Sequence, residues 1–133
     1  RGERELRALD ERWKVSQPSD PLVQTFLQNP CADVLIAFQE RCTGFPEIFV
    51  TDARGLLVGQ TNQTSDFVQS DEGWWQAAFA EGQGRRHTSD LEYDESAFSE
   101  SISFSVPVLD PSSGAAIGVL KAVCDVSAIK MEL

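Results

Sequence analysis

Apolar positions in the first sixteen residues fall at Leu6, Leu9 and Trp13, and almost everything between them is charged. That three-and-four spacing is one stripe of an amphipathic helix, predicted over residues 2–16. Pro18 and Pro21 end it. A second apolar set, Leu22, Val23, Phe26 and Leu27, stops at Asn29-Pro30. A third helix is predicted over 32–41, with Val34, Leu35 and Phe38 turned inward. At Gly44 the period changes. "FPEIFVTDARGLLVGQT" is a β-rich run, a D-A-R-G turn and a second run, which is the pattern of a hairpin. "SISFSVPVLDPSSGAAIGVLKAVCDV" repeats the device later in the chain. Between the hairpins lie the polar stretch "GQTNQTSD", a helix opening near residue 71, a Gly-rich exit "EGQGRRH" and a short strand near "DLEYD". The tail "VSAIKMEL" has the makings of a further helix.

Strand 101–108 alternates: Ile102, Phe104, Val106 and Val108 share one side, and Ser101, Ser103 and Ser105 the other. Strand 115–124 is apolar at almost every position, as a central strand covered on both faces would be. The two patterns together predict an α+β fold, an antiparallel sheet with helices on one face and a loop-and-helix flap over the other. At 133 residues with 41% hydrophobic content the chain reads as one domain. It divides into N-terminal helices (1–44), sheet and flap (45–126) and the start of a tail (127–133).

Charge narrows the partners. A net charge of −10 is unsuited to binding a phosphate backbone, so nucleic acid is disfavoured. No run approaches 18 apolar residues and the first residue is Arg, so neither a transmembrane helix nor a signal peptide is expected within these residues. Membrane attachment would lie in segments outside them. Three cysteines, Cys31, Cys42 and Cys124, with a single His and no C-x-x-C pair, argue against zinc. Cys31 and Cys42 are spaced for a disulfide in an oxidising compartment, but free thiols are the preferred reading. No cofactor is implied.

The segment "DFVQSDEGWWQAAF" places two tryptophans side by side. Successive helical residues differ by about 100° in direction, so Trp74 and Trp75 must meet different surroundings. Trp75, four before Phe79, makes a core stripe with it, which turns Trp74 toward the serine-lined strand face. Asp71 and Glu72 fall in the expected first helical turn, with Ser70 or Asp71 as its cap.

The order V-T-D-x-x-G-x-x-V (50–58), T-S-D-F (64–67), D-E-x-W-W (71–75), Y-D-E-S (93–96), then V-P-V-x-D and G-V-L-K-A-V (106–123) resembles a Cache domain over about residues 45–127. Such PAS-like modules are extracytoplasmic sensors of chemoreceptors, histidine kinases and cyclic-dinucleotide enzymes. The resemblance implies a long leading helix and a ligand pocket between sheet and flap, in the periplasmic part of an inner-membrane protein. It implies ligand contacts from Phe67, Asp71, Glu72, Trp74, Trp75, Glu92, Tyr93, Asp94, Ser96 and Ser103. In amino-acid sensors of the family the flap resembles Y-x(4)-R-x-W-Y. Here Glu72 stands at the Arg and Val123 at the late-strand Asp that holds the ligand amine, so the standard amino-acid site is not reproduced. An acidic and aromatic set suits a cationic amine over an indole face, with an amino acid or organic acid as the other options.

The same residues admit other readings. Glu92 and Asp94 can simply face solvent on an edge strand, and Asp94-Glu95-Ser96 can be a turn. Catalysis is not expected, because His87 reads as part of an exposed Gly-rich turn with no nucleophile motif near it. The D-x-D-x-D spacing of a calcium loop is missing, and "NQT" at 62–64 matches a glycosylation sequon. The alternative to a sensor is a ligand-free interaction module that dimerises through its N-terminal helix.

Overall fold

The computed structural model describes residues 2–94 and 99–127. Three helices come first: α1 (Glu3–Lys14), α2 (Pro21–Leu27) and α3 (Pro30–Arg41). The last two start by the same chemistry. Asp20 accepts from the Leu22 amide at 2.8 Å and Asn29 from the Ala32 amide at 2.7 Å, each followed by a proline at the first helical position. α1 has no side-chain cap, but Glu3 and Glu5 in its first turn and Arg12 and Lys14 in its last match the helix dipole.

The strands are β1 (Glu47–Asp52), β2 (Leu57–Gln60), β3 (His87–Thr88), β4 (Glu92–Asp94), β5 (Ser99–Leu109) and β6 (Ala116–Asp125). They form one antiparallel sheet in the order β2-β1-β6-β5-β3, with β4 pairing β5 beside β3. The apolar β6 is thus central. Both hairpins are closed by an aspartate. Asp52 accepts from the Arg54 and Leu56 amides at 2.8 and 3.0 Å, and Asp110 from the Ser112 amide and hydroxyl at 2.9 and 2.8 Å. Those bonds hold the Asp110 carboxyl below the usual carboxylate range. Gly118 of β6 lies so close to β1 that a Cβ there would strike the Thr51 carbonyl oxygen.

The segment between β2 and β3 crosses one face of the sheet and carries α4 (Gly73–Phe79) and a 3₁₀ turn (Ala80–Gly82). We call it the flap. Its root is fastened by α1: Trp13, wholly buried, donates its indole N–H to the Thr64 carbonyl at 2.8 Å. Asp10 accepts from the Phe67 and Val68 amides at 2.9 and 3.0 Å. The largest core cluster lies here, joining Trp13, Val23, Phe49, Leu57 and Phe67. α3 packs Leu35 against Ile48 and Ala122 on the opposite face. It lies chiefly over β2 and β1.

Several expectations are corrected. α3 buries Leu35, but Val34 is 69% exposed and Phe38 is also exposed, because the helix does not extend over β5. α4 begins at Gly73 with Glu72 as its cap residue and no side-chain capping bond, so Asp71 and Glu72 precede the helix and Ser70 does not cap it. His87 is half-buried in β3 and pairs with Ser105, so it does not lie in an exposed turn. Of the α1 stripe that could serve the domain's own core or a dimer contact, Trp13 is in the core and Leu9 packs against it. Cys31, Cys42 and Cys124 are free thiols. The tail beyond residue 127 lies outside the described residues. No helix is long and apolar enough to cross a membrane among the described residues.

Candidate ligand-binding site

Register fixes which side chains share the flap-covered face. Phe49 of β1 pairs with Lys121 of β6, and Lys121 with Ser105 of β5, which in turn pairs with His87 of β3. One row further along the strands come Glu47, Val123 and Ser103. Paired residues of antiparallel strands lie on one side of the sheet, so both rows face the flap. Ser103 and Ser105 are 7% and 1% exposed.

The tryptophan pair divides the cover. Trp75 is buried, donates its N–H to the Thr51 hydroxyl at 2.8 Å and stacks on Phe79 at 4.7 Å between ring centres, 18° from parallel. Trp74 is half-buried beside the polar row. Its ring meets Phe49 edge-on at 5.6 Å, and the Lys121 ammonium sits 4.7 Å from its centre. The indole face expected to receive a ligand cation therefore already carries the chain's own. Lys121 makes no ion pair within 4.0 Å among the described residues. The Ser105 hydroxyl is also without a hydrogen-bond partner there, which costs about 1–3 kcal/mol in a buried setting.

Outward from these rows a cavity of about 430 Å³ opens between sheet and flap, lined by Pro46, Glu47, Ser99, Ser101, Val123 and Asp125 and, from the flap root, Asn62 and Gln63. Burial pushes the Glu47 carboxyl above its ordinary range, and the nearby Lys121 charge pulls it back in part. Two other hollows are of different character. One, about 440 Å³, lies between α1, the first hairpin and the flap residues Val68 and Ser70, and is rimmed by Glu3, Arg7, Asp10 and Arg54. The other, about 370 Å³, is a wholly apolar groove on the α3 side, bounded by Val34, Phe38, Phe104 and Leu120.

The residues singled out from the sequence are dispersed. Ser103 and Trp74 belong to the flap-covered face. Phe67 is packed against Trp13 and Phe26 at 5.6 and 5.3 Å, and Trp75 is likewise interior. Asp71 is exposed and Glu72 half-buried. Glu92, the register partner of Ser101, stands exposed at the sheet edge beside the cavity, and Tyr93 is 59% exposed. Asp94 ends β4. Ser96 lies outside the described residues. Lys121 was missed, although it is the one charged residue in the run 115–124 of the central strand. Among the described residues no three of His, Cys, Asp and Glu converge to hold a metal ion.

No protein-family model and no curated protein matches the chain. Solved structures do. The ligand-binding domain of the Pseudomonas aeruginosa PAO1 amino acid chemoreceptor PctC, in complex with GABA, matches at TM-score 0.52 and 15% identity, over 98% of this chain and 54% of its own. The Campylobacter jejuni chemoreceptor Tlp3 sensory domain with isoleucine bound matches at 0.56 and 14%, over 93% and 50%. The sensor domain of the V. cholerae histidine kinase DctB matches at 0.52 and 17%, over 74% and 38%. This chain therefore spans about half, or less, of the sensor domains it matches. At these identities the likeness shows the fold: the chain has the α+β, PAS-like fold of Cache-type sensor domains.

Proposed function

We propose that this chain is an extracytoplasmic, non-enzymatic ligand-sensing domain of a membrane-anchored signal-transduction protein, which binds a small polar molecule between sheet and flap. The observation that carries the reading is the polar row beneath the flap. Among the described residues, a lysine without an ion-pair partner and a buried serine hydroxyl without a hydrogen bond lie side by side on a face that could otherwise have been filled with apolar side chains. The solved structures of this fold point the same way, since those of PctC and Tlp3 hold GABA and isoleucine.

The signal would be a population shift. Ligand contact with the flap changes the balance between flap positions, and Asp10 and Trp13 carry that change into α1, because both bond directly to the flap root. One observation favours the alternative of a ligand-free interaction module: Trp74 already packs on Phe49 and Lys121.

Thermal unfolding across a panel of amines, amino acids and organic acids separates the two. A ligand at one hundred times its Kd stabilises the folded state by about 2.7 kcal/mol. The sensor reading expects such a shift, and expects Trp74→Ala to abolish it while the domain still folds. A panel that moves nothing favours the ligand-free module.

A further inference from the structure

We propose that the molecule bound on this face presents a carboxylate to Lys121 and Ser105, so that the domain responds to small organic anions and not to amines. The inference rests on the reading of the flap-covered face as the binding surface, and adds to it the charge of the ligand.

Lys121 is half-buried at the middle of the central strand, and its ammonium has three N–H donors directed at no carboxylate within 4.0 Å among the described residues. The rings of Trp74 and Phe49, with centres 4.7 and 6.0 Å away, hold the cation without supplying an oxygen acceptor. Ser105 stands opposite it in the β5–β6 register, with its hydroxyl unpartnered among the described residues. A carboxylate placed between them accepts a charge-assisted bond from Nζ and a second from Oγ–H, satisfying both groups with one ligand. Ser105 is covered by the flap, so the anion meets Lys121 first and reaches Ser105 as the flap shifts around it.

An amine finds the opposite conditions. It would be repelled by Lys121 and would have to displace that ammonium from the indole. The acids read as its partners are spread: Asp71 is exposed, Glu72 precedes α4, Glu92 is at the sheet edge and Asp94 ends β4.

Three probes with the same four-carbon chain isolate charge: succinate, GABA and putrescine, titrated calorimetrically into the domain. Succinate is expected to bind and putrescine not. Lys121→Met should weaken succinate about tenfold or more, the worth of one charge-assisted bond. Lys121→Arg should retain binding, and Lys121→Glu should turn the preference toward putrescine. Ser105→Ala should weaken succinate while melting no lower than the parent, because it deletes an unsatisfied group.

Preferential binding of putrescine, or succinate affinity unchanged in Lys121→Met, overturns the assignment. If that ligand is still lost in Trp74→Ala, only the charge assignment falls and the sensing site stands. If neither these probes nor the wider panel binds, both readings fall together.

Discussion

On strand β5, Ser103 and Ser105 are buried, while Phe104 and Val106 on the opposite side are each more than a third exposed. The sheet thus has a polar face under cover and an apolar face partly open. The covered face is roofed by the flap, whose helix contacts β5, β6 and β3, whereas α3 on the other side lies chiefly over β1 and β2 and reaches β6 through Leu35 and Ala122. Coverage follows where the connecting segments cross, and not the polarity of the strand beneath. A buried hydroxyl without a partner loses its hydration, so serines under a roof call for a reason beyond stability. Exposed aromatics and aliphatics are ordinary when single, but Val34, Phe38 and Phe104 share one groove.

The contrast is broken most severely by Trp75→Ala, which empties the apolar end of the covered face. It deletes the stack on Phe79 and leaves the Thr51 hydroxyl without its donor. A loss of about 3–5 kcal/mol in chemical denaturation is expected. A much smaller loss would mean that the flap contributes little to holding this face.

A smaller effect is expected at Glu47, whose carboxyl is raised chiefly by burial. The folded protein holds that proton more tightly than the unfolded chain does. The associated stability is therefore complete below the unfolded value of about 4.3 and declines as pH rises through the folded one. Glu47→Gln should remove this decline, so the variant gains on the parent between pH 4 and pH 7. Urea midpoints that stay parallel with pH would show the carboxyl to be as well solvated in the folded state as in the unfolded. The smallest effect belongs to the open face, where Val34→Ser should change stability by no more than about 0.5 kcal/mol.

Much of this arrangement was legible in the residues. Alternation on β5 gave the two faces, continuous apolarity on β6 gave the centre of the sheet, and the aspartate-led turns gave both hairpins. The four-residue step from Trp75 to Phe79 also identified the interior ring of the pair. What was not legible depends on distance along the chain. Asp10 looks like one more surface acid of a charged helix, and its bonds to residues 57 and 58 positions later follow only from packing. β3 is two residues long, too short for a period. Lys121 did leave a signal, a lone charge in a buried strand, but the acids drew attention because their partner was assumed to be the ligand's cation. The chain had supplied that cation itself.

The sheet's borders have a consequence for assembly. One border is β2, four residues long and contacted by α2 and α3. The other is split between β3 and β4, two and three residues long. Neither offers a long row of free amides and carbonyls for a second chain to zip onto. Protein at high concentration is thereby guarded against fibril-like stacking at these margins, despite eleven-residue and ten-residue strands at its centre.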